Sequence, residues 1–262
     1  MHSSQTDLSR SPLKPDAGFL ARAPMAVAEV SLIASTRAEL VPVTDWTEGL
    51  RRIGNDSGDP GSPFARARDI VCGLALIVLL APLLLLLITL VALCDPGPPI
   101  FAHVRVGRNG RLFKCYKLRS MYRDAEHRLA GLLADNPRMR REWDASFKLT
   151  DDPRVTPLGD FLRKSSLDEL PQLFNVLAGS MTLVGPRPVV FDELRYYGRH
   201  ALSYLRVKPG LTGLWQVTGR SEVSYRRRVA TDRLYARRKS LLFDFQIMLA
   251  TIPAVLARKG AW

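Results

Sequence analysis

Cysteine and histidine are scarce in this chain, which has three cysteines and four histidines among its 262 residues. The cysteines form no CxxC pair, so neither a zinc cluster nor a disulfide framework is indicated, and a reducing, cytosol-facing environment is expected. The histidines are widely separated in sequence, which gives no support to a histidine metal site or a Ser/His/Asp triad.

Glycine-rich phosphate loops are also missing. The segments "VGRNG" and "KPGLTGLWQVTGR" place glycines at turns, but they match neither a Walker loop nor a dinucleotide fingerprint. No internal repeat or low-complexity tract is present. A nucleotide site of the P-loop or Rossmann type is therefore not predicted.

Acidic residues are outnumbered, with 25 Asp and Glu against 38 Lys and Arg, a net charge of +13. An anionic partner is expected, and nucleic acid, phospholipid and nucleotide sugar all qualify. A nucleic-acid binder would explain the charge, but it would not explain a long uncharged apolar run, and aromatic residues interleaved with basic ones are few. Nucleic acid is therefore not predicted as a partner.

Residues 1–62 show no sustained hydrophobic period and are rich in Ser, Pro, Ala and Asp. This composition predicts a mostly disordered N-terminal extension. No apolar core follows the basic residues near the start, so a secretory signal peptide is not expected.

Charge is absent from residues 70–93, "IVCGLALIVLLAPLLLLLITLVAL". This length is typical of a membrane helix, although a buried helix of a soluble core is the alternative. Pro82 lies at its middle and predicts a kink, which leaves two arms of roughly 17 Å, each shorter than the ~30 Å hydrocarbon core. Basic residues flank both ends, and the positive-inside rule therefore favours a proline-broken, re-entrant membrane hairpin over residues 63–96.

Residues 97–262 are predicted to form a mixed α/β, mostly helical domain. The stretch "HVRVGRNGRLFKCYKL" indicates a small β-hairpin around Asn109-Gly110. Residues 122–146 have a helical pattern with a break at Pro137. The last 24 residues fit an amphipathic interface helix, anchored by Arg258, Lys259 and Trp262, or ordinary core packing.

The segment "SSLDELPQLF" sets two carboxylates, Asp168 and Glu169, ahead of a proline and an apolar stripe. Ser166 and Glu169 fit a capping box at a helix N-terminus, which is the structural interpretation. The chemical interpretation is compatible with it, because a helix N-terminus favours an ionised carboxylate and attracts phosphate. Attack of such a carboxylate on phosphorus also needs charge shielding, which Mg²⁺ supplies by binding carboxylates together with phosphate oxygens.

Two arginines accompany this pair. Arg163 lies five residues before Asp168, and Arg187 stands between prolines in "VGPRPVV". The two prolines restrict the backbone of Arg187 toward extended geometry, which suits a preorganised phosphate clamp, although a rigid surface turn is the alternative.

Together these segments carry a resemblance. The proline-centred apolar run, "RVGRNGRLFKCYKLRSM", "DPRVTPLGDFLRKSSLDELPQLFNVLAGSMTLVGPRPVV" and "RVKPGLTGLWQVTGR" resemble the bacterial sugar transferases, the monotopic polyprenyl-phosphate phosphoglycosyl transferases. The chain is most similar to the undecaprenyl-phosphate galactose or glucose phosphotransferases that initiate exopolysaccharide synthesis. The resemblance covers roughly residue 64 to the last residue.

The resemblance implies transfer of a sugar 1-phosphate from a UDP-sugar to undecaprenyl phosphate, with release of UMP. Asp168 would be the nucleophile that forms a covalent phosphosugar intermediate and would hold Mg²⁺, and Glu169 would be its partner. Lys117, Arg163 and Arg187 would bind phosphate groups.

The resemblance also implies a place in the cell. The chain would lie in the bacterial inner membrane among phospholipids, with its helix broken at Pro82, its active site facing the cytosol and interface helices around that site. A homodimer is compatible with it. The chain departs from the family pattern at Ala81, where serine is usual, and at His103, where many members have glutamine.

Two other functions stay open on the sequence alone. A membrane-tethered scaffold would be basic and apolar without needing the carboxylate pair. A nucleotide-sugar glycosyltransferase would hold its metal through Asp151 and Asp152 and would release no UMP.

Overall fold

The computed structural model describes residues 62–146, 149–218 and 225–256. The predicted disordered extension therefore lies outside the described residues, apart from Ser62. The uncharged run lies within helix α1, Pro63–Cys94, which begins at a proline whose missing N–H costs nothing at the first helical position. Helix α1 is, within the described part of the chain, the one helix long and apolar enough to cross a membrane. It continues through Pro82 without interruption, and its re-entrant course stays a prediction.

The predicted hairpin is confirmed. Strands β1, Ile100–Val106, and β2, Leu112–Leu118, pair antiparallel with His103 opposite Cys115. Asn109 and Gly110 at the turn have φ of 58° and 74°. Only glycine and, less readily, asparagine adopt this left-handed backbone without strain, which explains why that dipeptide marks the turn.

The remaining described elements make the domain mostly helical, as predicted. The break at Pro137 is confirmed, because the proline is the first residue of a new helix. The helices are α2 Ala125–Asp135, α3 Pro137–Ser146, α4 Pro157–Ser165, α5 Gln172–Ala178, α6 Ala201–Leu205, α7 Leu214–Val217, α8 Tyr225–Arg238 and α9 Leu241–Leu256. Turns of 3-10 helix cover Arg108–Gly110, Leu167–Glu169 and Phe191–His200, and the short strands β3 Thr182–Val184 and β4 Gly210–Thr212 pair in parallel.

One side of α1 packs on the domain. Leu84, Leu87 and Val91 are buried there against Leu118 of β2 and Leu162 of α4. Other apolar side chains of α1 are exposed, among them Val71, Val78, Leu79, Leu85 and Leu93. The helix is therefore partly a core helix and partly a helix that presents apolar surface outward.

The first turns of α1 are bound to the domain by charged side chains. Arg66 donates from both terminal nitrogens to the carbonyls of Val176 and Leu177, each at 2.6 Å. These carbonyls belong to the last turn of α5, where helical N–H partners run out, although the Val176 carbonyl also accepts from the N–H of Gly179 at 3.1 Å. Arg66 thus caps α5, and Gly73, one of the few buried residues of α1, lets the two helices approach near Leu177.

A buried polar network continues this attachment. Asp69 is 4% exposed and accepts hydrogen bonds from Thr182 at 2.6 Å and from Arg68 at 2.9 Å. Arg68 also pairs with Asp244 of α9 at 2.7 Å, and the Tyr235 hydroxyl donates to Asp244 at 2.8 Å. The network joins α1, β3, α8 and α9 at one point.

Replacing Asp244 by alanine is expected to lower the free energy of unfolding by about 3 kcal/mol, because it leaves the largely buried Arg68 with a single counter-ion. Denaturant unfolding of the purified chain in detergent measures this. The control is Asp144→Ala, which breaks an exposed pair with Arg140 and should cost about 0.5 kcal/mol or less. Equal losses in the two variants would contradict the assignment.

Core packing is confirmed for one face of helix α9, and the membrane-interface alternative for the C-terminal segment stays a prediction. Asp244 and Ile247 are buried, as core packing requires. Exposed apolar side chains line the rest of the helix: Leu241, Leu242, Phe245, Leu249 and Ile252. The predicted anchors Arg258, Lys259 and Trp262 lie outside the described residues.

Candidate active site

The carboxylate pair lies in a 3-10 turn, Leu167–Glu169, between α4 and α5. Ser166 ends α4 in the left-handed conformation, with φ of 59°, and its N–H returns to the carbonyls of Leu162 and Arg163. The Ser166 side chain makes no capping bond, and the Glu169 carboxylate is bonded to Lys117 instead. The predicted capping box is therefore wrong, because Ser166 caps the end of one helix and does not start the next.

Lys117 of β2 is the shared partner of the pair. Its Nζ lies 2.7 Å from Oε1 of Glu169 and 3.4 Å from Oδ2 of Asp168. Asp168 is buried, with 6% of its surface exposed, whereas about a quarter of each of the Lys117 and Glu169 side chains is accessible. The predicted phosphate-binding lysine and the two predicted catalytic carboxylates thus form one cluster, brought together from positions 51 residues apart.

Burial and charge push the two carboxylates in opposite directions. Burial raises the pKa of Asp168, and the adjacent Glu169 adds to the rise while Lys117 opposes it. Burial alone would also raise the pKa of Glu169, but Lys117 and Arg187 outweigh it and hold that pKa below its ordinary value. Burial would lower the pKa of Lys117, yet Glu169 and Asp168 raise it overall. Glu169 and Lys117 are a firm ion pair, and Asp168 is the member held closest to neutrality.

Arg163 stands in the last turn of α4, and its Nε donates to Oγ of Ser120 at 2.9 Å. Burial lowers its pKa, while the nearby Asp168 charge raises it. The charge of Arg163 in turn favours ionised Asp168. The hydroxyl of Ser120 fixes the guanidinium beside the carboxylate without forming an ion pair.

Arg187 follows β3 and is half-buried. Its guanidinium carbon lies 5.7 Å from the centre of the Trp215 indole ring. The positive charge of Arg187 lowers the pKa of Glu169 and opposes the rise in the pKa of Lys117. All five predicted side chains therefore belong to one neighbourhood, in which three cations surround two carboxylates.

Comparison with known proteins identifies the family of this chain. Residues 61–258 match the family model described as bacterial sugar transferase. The chain belongs to the bacterial sugar transferase family. Membership makes it a transferase and confirms the resemblance drawn from its motifs.

Three relatives show the extent of the similarity. The undecaprenyl-phosphate galactose phosphotransferase of Salmonella typhimurium is 49% identical over 214 residues, which cover 81% of this chain and 45% of that protein. The exopolysaccharide production protein ExoY of Rhizobium meliloti is 46% identical over 231 residues, 87% of this chain and 99% of that protein. The UDP-glucose:undecaprenyl-phosphate glucose-1-phosphate transferase of Escherichia coli is 36% identical over 205 residues, 75% of this chain and 41% of that protein. This sugar transferase chain thus matches less than half of the Salmonella and Escherichia proteins and nearly all of ExoY.

The predicted magnesium ion stays a prediction, and the side chains of the sugar transferase site bear on it as follows. The described residues contain no group of three or more side chains able to hold a metal ion. Mg²⁺ commonly takes one or two carboxylates and completes its shell with water and substrate phosphate oxygens. Asp168 and Glu169 supply that number of carboxylates, and Lys117 engages one oxygen of each. The site fits a Mg²⁺ ion that arrives with a phosphorylated substrate.

The alternative metal pair is not supported. Arg154 binds Asp152 through two nitrogens, at 2.7 Å and 2.6 Å, so both carboxylate oxygens are occupied. Asp151 beside it is exposed. This "DDPR" segment is a local ion pair ahead of α4.

Several residues near the transferase site were missed by sequence reasoning. Arg105 pairs with Glu193 at 3.5 Å, and His103 stands two residues before it on the same face of β1. Burial, together with Arg105, lowers the pKa of His103 to about 4, so the ring is neutral at neutral pH. Strand alternation places both side chains on the face that bears Lys117, and this signal could have found them.

Proposed function

We propose that this chain transfers a sugar 1-phosphate, from galactose or glucose, from a UDP-sugar to undecaprenyl phosphate, releases UMP, and thereby initiates an exopolysaccharide repeat unit. The observation that carries the proposal is the buried Asp168 held against Glu169 by one lysine. The names of the relatives support it, since they describe galactose and glucose-1-phosphate transfer to undecaprenyl phosphate.

The reaction proceeds in two displacements at one phosphorus. An ionised Asp168 oxygen attacks the sugar-bearing phosphorus of the UDP-sugar, and the bond to the bridging oxygen breaks. The electron pair of that bond leaves with UMP, and the sugar phosphate is bound covalently to Asp168. A phosphate oxygen of undecaprenyl phosphate then attacks the same phosphorus and frees the carboxylate. The lipid product carries a diphosphate-linked sugar.

The surrounding side chains assist by charge. Lys117 favours ionised Asp168 against the effect of burial, and Glu169 keeps Lys117 protonated. Arg163 and Arg187 attract the two donor phosphates to the carboxylate pair. Mg²⁺, when bound with the donor, shields the approach of a carboxylate to an anionic diphosphate.

Helix α1 gives the reaction its place. Its outward apolar surface supports insertion into the bacterial inner membrane among phospholipids, with both basic flanks and the active site on the cytoplasmic face. In this arrangement α1 bends at Pro82, so that both of its ends lie on the cytoplasmic side and the helix is re-entrant. A basic surface near anionic headgroups adds about 1 kcal/mol per Lys or Arg to membrane binding. The polyprenol then reaches the site without leaving the bilayer.

The proposal is tested by measuring UMP release from a panel of UDP-sugars, with undecaprenyl phosphate and Mg²⁺, in membranes that contain the full chain. Release with one preferred sugar, dependent on the lipid and suppressed by a chelator, is expected. UDP release in place of UMP would identify a glycosyltransferase, and silence with every donor would favour the scaffold alternative.

A further inference from the structure

A cluster of arginines extends beyond the carboxylate pair. Arg228 of α8 lies with its guanidinium carbon 4.7 Å from the centre of the Trp215 ring, on the same indole that Arg187 approaches. Arg105 contributes a third guanidinium nearby, because it pairs with Glu193 at 3.5 Å and Glu193 also accepts from the hydroxyl of Tyr225, whose ring contacts Arg228. Burial lowers the pKa of Arg105, and the charge of Arg187 lowers it further. Burial and the charge of Arg187 also lower the pKa of Arg228. Three like charges are therefore held close together in a poorly solvated place.

The described residues only partly neutralise this charge. Glu193 pairs with Arg105 at 3.5 Å, while Glu169 is already engaged by Lys117. Asp232 lies one turn from Arg228 on α8, but it accepts a hydrogen bond from Tyr197 and burial raises its pKa to about 7, so it is only partly ionised at neutral pH. The three cations therefore exceed the nearby negative charge by more than one unit. Clustered positive charge is costly unless an anion binds among it, so the arrangement is suited to a dianionic ligand.

Two hydrogen-bond donors in the cluster lack partners. Nε of Arg228 and Nε1 of Trp215 are buried and have no hydrogen-bond partner within the described part of the chain. Arg228 is only 9% exposed and Trp215 only 5%. Both nitrogens can donate but cannot accept, so the missing partner is an acceptor. Phosphate oxygens satisfy such donors.

We propose that Arg105, Arg187 and Arg228, together with the indole N–H of Trp215, bind the phosphate of the departing UMP. The inference rests on the proposed function, because UMP is formed here only by cleavage of the donor diphosphate. As the bridging bond breaks, the leaving phosphate gains a second negative charge and then matches the surplus of the pocket. Tyr225 is half-buried, with its ring centre 5.3 Å from the Arg228 guanidinium carbon, and it adds aromatic surface suited to a nucleoside.

The test is product inhibition by UMP in the full chain carrying Arg228→Gln. The inhibition constant of UMP is expected to rise about tenfold to a hundredfold, the scale of a lost charge-assisted hydrogen bond, while KM for undecaprenyl phosphate stays unchanged. The matched control is Arg226→Gln, which removes the same charge from an exposed position of α8 and should leave both constants unchanged. Arg228→Lys keeps the charge but loses the planar fork, and it should fall between the two.

Each outcome decides. An unchanged UMP constant in a folded Arg228→Gln variant overturns the proposal, and so does a rise in KM confined to undecaprenyl phosphate, which would assign the pocket to the lipid phosphate. If Arg228→Gln does not fold, Arg228→Lys replaces it, and unaltered UMP inhibition in that variant overturns the pocket. Calorimetric titration with UMP separates the two proposals: binding that depends on Arg228 without turnover on any donor supports the pocket and overturns the transfer reaction.

Discussion

Replacing Asp168 by asparagine is expected to reduce sugar-phosphate transfer by about a thousandfold or more while the chain stays folded, because the amide cannot form the covalent intermediate. The decisive measurement omits the lipid acceptor. Under that condition wild-type chain incubated with donor and Mg²⁺ should gain the mass of a hexose phosphate and release UMP stoichiometrically. The variant should do neither.

The melting temperature of Asp168→Asn distinguishes loss of the nucleophile from misfolding as the cause of lost activity. Because the pKa of Asp168 is raised in the folded state, its ionised form costs stability once the pH exceeds the value of an unfolded aspartate. The asparagine variant escapes this cost, so its melting temperature at neutral pH should equal or exceed that of wild type. Asp160→Asn on the exposed side of α4 serves as the control and should retain activity. A labelled intermediate in the Asp168 variant would place the nucleophile elsewhere.

Lys117→Met should have the next largest effect. The rate of sugar-phosphate transfer at pH 7 should fall about a hundredfold, in line with the loss of a charge-assisted contact worth ~3 kcal/mol. Without the ammonium the pKa of Asp168 rises further and that of Glu169 rises with it, since Lys117 lowers both in the wild type. The acid limb of the rate profile, where Asp168 becomes protonated, therefore moves to higher pH. A profile of kcat against pH measures the shift.

The same substitution has a signed effect on stability. In Lys117→Met the folded-state pKa values of Asp168 and Glu169 are higher than in wild type. The free energy of unfolding of the variant should therefore fall, relative to wild type, as the pH rises from acid to neutral. In acid the stabilities of the two chains should converge. Lys114→Met is the control, because that lysine lies on the same strand but is exposed on the opposite face. An acid limb that stays in place in Lys117→Met would show that Lys117 does not set the ionisation of Asp168.

Local chemistry made some features predictable. The Asn109-Gly110 turn requires positive φ at both residues, and few dipeptides allow it. Pro137 cannot continue a helix, so it starts a new one. The long uncharged run was recognisable by length alone. In each case the signal and the structure it determines lie within a few residues of each other.

Features that depend on distant contacts were not predictable in this way. Ser166 and Glu169 have capping-box spacing, but Ser166 is the C-terminal cap of the preceding helix. The carboxylate of Glu169 forms an ion pair with Lys117 of β2. The position of Arg228 beside Trp215 requires α7 and α8 to meet, which no pattern in either segment encodes. Asp69 gave no signal ahead of the apolar run because two of its partners, Thr182 and Leu183, lie in β3, more than a hundred residues away in sequence.

The attachment of α1 has a mechanical consequence. Arg66 holds the end of α5, whose beginning directly follows the carboxylate pair, and no flexible linker separates the two helices at that contact. If α1 tilts or shifts along the membrane normal, α5 would move with it. In the proposed function, the distance of Asp168 from the membrane surface would then depend on how deeply α1 is inserted. In bilayers of increasing thickness, the distance between the Asp168 carboxylate and the phosphate of the lipid acceptor would therefore be determined by the contact between α1 and α5.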